Sequence, residues 1–395
     1  MTRNHGGELT RNIGRWSVDV SRGRAALRAA RLLLVAAPIF FTACSWWAHV
    51  PTHARWLEPA PALAPPPSGP HAGTLRVAVY GDTRGNRPVH RQVVAAISEQ
   101  KPNLVIFTGD ALECLPVGHL PDYGGWQYAI PFWPQVHRNY PWALLASIVP
   151  FPVLLHDSVG GLFVRPRDPD GFNGFLEDTE PFRKAGAPLL FVPGNHDLYH
   201  RWDRRALAQL QALPSDGLWY AVDVGDYRFV ILDTGTDLFG DSDAIPAGGA
   251  QIRWLDEVLA DAEKRHLRSI VTFHLPPFSS AREDGSVPWL RERLVTGVLD
   301  HHPVSLVLNG HAHAYERVER PDPSGRPVTY VLTGGGGAPL FHEASERVAG
   351  SKIFVEGVRH FVLLELTRDE VIGRMIPVAG GSTGEPQDFF RVKNP

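Results

Sequence analysis

Six side chains able to donate to a metal stand in order along the chain. They are Asp82 after Gly81, Asp110 after Gly109, Asn195 within Gly194-Asn195-His196-Asp197, His274, and then His311 and His313 within Gly310-His311-Ala312-His313. Carboxylate, amide and imidazole donors in this mixture suit borderline divalent or trivalent cations such as Mn, Fe or Zn, whereas calcium takes oxygen donors. Paired cations in such sites sit roughly 3.5 to 4 Å apart, and a shared anion offsets their repulsion. One carboxylate of the set is therefore expected between two metals. Each residue alone has a plainer explanation: Asp after Gly commonly makes a turn, and a single His is usually an ordinary surface or core residue. The ordered set is what points to a metal centre.

Short apolar runs lead into these donors. Leu75 to Tyr80 precedes Gly81-Asp82, Leu104 to Thr108 precedes Gly109-Asp110, and Leu190 to Pro193 precedes Gly194-Asn195; Ile270 to Phe273 ends at His274, and Leu306 to Leu308 runs toward Gly310. Continuous apolar runs of this length read as strands covered on both faces. Helical spacing appears between them, with Val89, Val93 and Ile97 on one face and Ile252, Leu255, Val258, Leu259 and Ala262 on another. Ligands of open α/β sheets bind beyond the carboxyl ends of the strands, so the polar termini are expected to meet in one cleft. Later segments read as antiparallel: a hairpin at Tyr220 to Leu232 turning at Gly225-Asp226, then Val328 to Thr333, Phe361 to Leu366 and Val371 to Ile376. An α/β fold of two mixed sheets packed face to face, with helices outside in a four-layer αββα sandwich, accommodates them all.

The order GD, GD, GNHD, H, GHxH resembles the signature of the calcineurin-like metallophosphoesterase superfamily over roughly residues 74–380. GHAHAYER at 310–317 and TGGGGAPL at 333–340 resemble its purple-acid-phosphatase-like branch. The resemblance implies that Asp110 bridges two metals, that Asp82 and His313 hold one, and that Asn195, His274 and His311 hold the other. It further implies His196 facing the leaving group as general acid, with Asp197 orienting it. Two positions depart from the family pattern. Arg84 stands where a metal-binding His is usual, and a guanidinium cannot coordinate a cation; Glu113 stands where the purple acid phosphatases carry a Tyr. Glu113 or His90 is a possible substitute donor, and Arg84 is suited to a substrate phosphate oxygen or to a ligand carboxylate. The implied reaction is direct hydrolysis of a phosphoric ester by metal-activated water, with no nucleophilic side chain. A phosphodiesterase for nucleotides or phospholipid head groups and a non-catalytic phosphate-binding envelope protein are the alternatives.

Composition narrows the context. A net charge of -3 over 395 residues offers no broad cationic field for nucleic acid, and two cysteines, Cys44 and Cys114, exclude a disulfide framework. Residues 1–31 carry seven arginines, and the stretch 32–43 is uncharged and ends at Thr42-Ala43-Cys44. That arrangement reads as an export segment, with Cys44 as a lipidation site, with 32–50 as an uncleaved membrane anchor, or with plain secretion. All three place the folded part outside the cytoplasm, in the cell envelope. Six prolines between Glu58 and Gly73 make a semi-rigid tether within residues 45–73, and the folded domain is expected over 74–395. An insertion is expected at about 115–175, containing Trp126, Trp133 and Trp142 and an uncharged stretch at 139–155 suited to a buried loop, a membrane-surface patch or a lid beside the cleft. Small-molecule or lipid phosphoesters are the expected substrates.

Overall fold

In β1 (Leu75–Tyr80) the side chains alternate between two apolar surroundings: Val77 and Val79 enter one core, Ala78 and Tyr80 another, and all four are buried. A strand with no polar face must be covered twice. The computed structural model describes residues 73–112, 172–197, 218–234 and 249–394. Residues 1–72, with Cys44 and the tether, lie outside them, as do Glu113 and most of the expected insertion with its three tryptophans. Among the described residues no helix is long and apolar enough to cross a membrane.

The elements follow in chain order as α1 (Arg87–Glu99), β2 (Leu104–Phe107), α2 (Phe172–Asp178), α3 (Glu180–Lys184), β3 (Leu189–Phe191), β4 (Tyr220–Val224), β5 (Tyr227–Ile231), α4 (Ala250–Lys264), β6 (Arg268–Thr272), β7 (Val304–Asn309), β8 (Tyr315–Pro321), β9 (Pro327–Thr333), β10 (Ser351–Val355), β11 (His360–Leu366), β12 (Glu370–Ala379), β13 (Ser382–Thr383) and β14 (Asp388–Lys393). One mixed sheet runs β13-β12-β11-β1-β2-β3 with β14 also paired to β12; the other runs β10-β8-β9-β7-β6-β5-β4. Val79, Ile106, Val362 and Leu364 of the first pack with Phe229, Ile270, Leu308 and Val331 of the second in a core between the sheets. Val93 and Ile97 of α1 and Phe175 of α2 cover the outer face of the first sheet, and Leu255 and Leu259 of α4 cover that of the second. This is the expected αββα layering. The central strands β1, β2 and β3, and β5, β6, β7 and β9, are mutually parallel, so their carboxyl ends share one side of each sheet.

Strands β8, with Glu316, Arg317, Glu319 and Arg320, and β14 mix charges into their sequences and, like the short β10 and β13, lie outside the expected set. The charges are accommodated locally. Buried Glu316 accepts from Ser280 Oγ and Ser351 Oγ, and Arg317 pairs with Asp388 on β14. The carboxyl end of the expected insertion meets α2. Phe175 is buried against Phe107, Phe191 and His90, so α2 belongs to the core.

A buried polar cluster ties α1 and α2 to β1. Asp178 accepts from Arg87 (3.0 Å) and Arg91 (2.6 Å) and lies 3.4 Å from His90 Nδ1, while His90 Nε2 meets the Tyr80 hydroxyl at 3.0 Å. Burial alone would raise the Asp178 pKa, but these partners hold it well below the carboxylate range. The folded pKa is depressed, so the stabilisation is present at neutral pH and is lost as pH falls below about 4. Asp178→Ala should cost about 2 to 3 kcal/mol by denaturant unfolding at pH 7, with the deficit shrinking at acid pH; a loss under about 0.5 kcal/mol at pH 7 would show the cluster to be incidental.

Candidate metal centre

The loops after β1 and β2 run side by side, with the Asp82 N–H donating to Gly109 O (2.8 Å) and the Arg84 N–H to Asp110 O (3.0 Å). This pairing brings the two carboxylates together. Asp82, Asp110 and His311 all hold left-handed backbone, at φ 62°, 61° and 72°, a conformation that costs a non-glycine residue of the order of 1 kcal/mol and is tolerated where the surroundings enforce it. Asp82 accepts the His311 N–H (3.0 Å), and Asp110 Oδ1 accepts the His196 N–H (2.9 Å). His274 Nδ1 donates to Thr108 O and His313 Nδ1 to Pro339 O, both at 2.7 Å. A carbonyl only accepts, so each of these rings carries its proton on Nδ1 and presents Nε2 to the cleft.

The donors form two overlapping groups. Asp82, Asp110 and His313 offer ligand atoms within 4.8 Å of one another, and so do Asp110, His274 and His311. Asn195 Oδ1 joins the second group, 3.1 Å from His274 Nε2 and 3.0 Å from His311 Nδ1. Asp110 belongs to both groups, and its Oδ2 is buried without a hydrogen-bond partner. A buried carboxylate oxygen left unpaired is costly, and a cation on each side of Asp110 would satisfy it, so the residues fit a pair of metals. The charges agree. Burial and the nearby His274 charge lower His311 to about 3, while burial and Arg84 lower His313, leaving both rings neutral with a lone pair to give. Burial alone would lower His274 as well, but the Asp110 and Asp82 carboxylates raise it to about 9, so a proton stands there until a metal replaces it.

All six expected metal donors thus meet in one place. The other expected residues behave differently. His196 faces the cleft, with Nε2 3.9 Å from Asp110 Oδ2, but the Arg84 guanidinium lies 3.0 Å from its Nδ1 and 2.6 Å from its Nε2. Burial and this neighbouring cation lower its pKa to about 3, which favours the neutral ring in the metal-free site. The Asp197 oxygens accept the N–H groups of Asp110 (2.8 Å), Ala111 (2.9 Å), Leu112 (3.3 Å) and Gly194 (3.0 Å), so it holds the backbone of the two ligand loops. His90, the possible substitute donor, is committed to Tyr80 and Asp178.

One residue escaped the sequence reading. Asp284, on the loop between β6 and residues 288–296, lies 3.8 Å from His311 Nε2, and no motif or strand end marks it. The glycines at 334–337, within the TGGGGAPL stretch, lie against the ligand loops. A Cβ on Gly336 would collide with the Gly81 carbonyl and one on Gly334 with the Ala312 carbonyl, so side chains there would push the first and last motifs apart.

A family model described as calcineurin-like phosphoesterase matches residues 157–315, which contain four of the six donors; Asp82 and Asp110 join them only in space. Purple acid phosphatase 22 of Arabidopsis thaliana is 27% identical over 185 residues, covering 42% of this chain and 40% of that protein. Purple acid phosphatase 15 of the same plant is 28% identical over 183 residues, covering 42% and 32%. The chain therefore spans less than half the length of these curated relatives. Among solved structures, purple acid phosphatase PPD1 of yellow lupin superposes with a TM-score of 0.53 at 18% identity, covering 82% of this chain and 55% of that one. GAP50, the anchor in the inner membrane complex of Plasmodium, gives 0.50 at 16% identity, covering 82% and 90%. At such identities the structures speak for the fold alone. Over these residues the chain is similar to the calcineurin-like phosphoesterases and to purple acid phosphatases, and it shares their fold.

Proposed function

We propose that this chain hydrolyses phosphoric esters with two transition-metal cations, one held by Asp82, Asp110 and His313 and the other by Asp110, Asn195, His274 and His311. The observation that carries the reading is Asp110, shared by both donor groups and left with an unpartnered buried oxygen. When bound, such cations supply Lewis acidity toward phosphoryl oxygens and activate water at neutral pH. The remaining tasks fall to the chain's own groups. Arg84 presents a planar cationic fork at the cleft, the geometry that phosphoryl oxygens pair with best. His196, neutral beside it, donates one N–H to the substrate instead of transferring a proton. Asp197 keeps the two ligand loops in register through four backbone hydrogen bonds. The arginine-rich N-terminus, the apolar stretch ending at Cys44 and the proline-rich tether support export to the cell envelope with a membrane attachment, and substrates among small or lipid phosphoesters.

Two outcomes test the reading. The purified chain should carry about two transition-metal equivalents, lose aryl phosphate hydrolysis on exhaustive chelation and regain it on metal addition. Because His274 holds its proton up to about 9, metal uptake by the stripped protein should tighten by up to about tenfold per pH unit between roughly pH 6 and 8, as that proton becomes easier to displace. Turnover that survives chelation would overturn the metal reading, and pH-independent uptake would remove His274 from it. Separately, His196→Ala should slow alkyl and aryl phosphates by similar factors, since a neutral ring protonates neither leaving group. A loss confined to alkyl esters would restore His196 as the proton donor.

A further inference from the structure

The three imidazoles of the centre are not held alike. His274 and His313 are each fixed through Nδ1 by a backbone carbonyl and turn Nε2 to the metal positions. His311 is reversed: Nδ1 faces Asn195 Oδ1 at 3.0 Å, while Nε2 points away toward Asp284, whose Oδ1 faces it at 3.8 Å. For His311 to give a lone pair from Nδ1, its proton must sit on Nε2, on the Asp284 side. A carboxylate facing that N–H fixes the tautomer and the ring plane, and it makes the other nitrogen a stronger donor.

The loop that carries Asp284 is built to hold it there. Ser279 Oγ donates to the Asp284 carbonyl (3.2 Å), Ser286 Oγ accepts the Ser279 N–H (2.9 Å), and the Ser280 N–H donates to buried Glu316 (2.6 Å), which anchors the loop to β8. The Asp284 side chain is only 16% exposed.

We propose that Asp284 is a positioning residue for His311, holding Nε2–H so that Nδ1 completes the metal position shared with Asn195, His274 and Asp110. The inference rests on the two-metal reading above. The test is a metal titration of the stripped full chain with Zn²⁺ against a chromophoric chelator, which counts equivalents and their affinities without reference to activity. Asp284→Ala should weaken one of the two equivalents by roughly 10 to 100-fold and leave the other unchanged, and Asp284→Asn, which keeps an accepting oxygen, should recover part of the loss. In a His311→Ala background, Asp284→Ala should add no further loss, which a general loosening of the loop would not reproduce. Thermal melting of the metal-free variants identifies any that fail to fold, and Asp284→Asn then carries the comparison. Two unchanged affinities in both Asp284 variants, or a full additional loss in the His311→Ala background, would overturn the role of Asp284 while leaving the centre standing. A wild-type chain that takes up no Zn²⁺ would overturn the two-metal reading itself.

Discussion

Two carboxylates, Asp82 and Asp110, are buried beside each other at the ends of adjacent parallel strands, and the surrounding architecture answers the electrostatic problem this creates. Neither has water to stabilise its charge, and each disfavours the other's ionisation. Burial drives Asp82 well above its ordinary range, whereas at Asp110 the His274 charge and Arg84 outweigh burial and keep it below its own. Positive charge must therefore be supplied. A proton on His274, the Arg84 guanidinium and a pair of cations are alternative or complementary sources, and the chain provides a place for each of them. An apolar cleft would not need three imidazoles facing it.

The fold supplies the rigidity that this concentration of charge demands. Ligands come from five strand ends, and the loops that bear them are joined to one another by backbone hydrogen bonds and by the Asp197 carboxylate rather than by apolar contacts. Left-handed backbone at Asp82, Asp110 and His311 is the local cost of aiming these groups inward. The glycine run behind the cleft allows strand β9 to approach the first and last motifs closely. The αββα layering gives each sheet a covered face on both sides, so the loops at the carboxyl ends can be strained without threatening the whole.

Much of this was legible in the residues. The strands that carry ligands are buried on both faces, so their apolar runs are unbroken, and the donor set follows from the polar residues where each run stops. Strands β8 and β14 were illegible for the converse reason: their charges are paired with residues remote in sequence, as Arg317 is with Asp388. The charge state of His196 could not be read because it depends on Arg84, 112 residues away. The reach of Asp197 was hidden for the same reason: adjacency in Gly194-Asn195-His196-Asp197 suggests a local partner, whereas its oxygens accept from residues 110–112 on another loop. Asp284 gave no signal at all, since a lone acidic residue in a loop has no periodicity to betray it.

The central claim is that Asp110 sits between two cations. Anomalous-scattering diffraction from crystals loaded with a transition metal locates them directly. The account predicts two peaks roughly 3.5 to 4 Å apart, one beside Asp82 and His313, the other beside Asn195, His274 and His311, with an Asp110 oxygen facing both. A single peak, or two peaks that leave Asp110 outside the coordination of either, would contradict it.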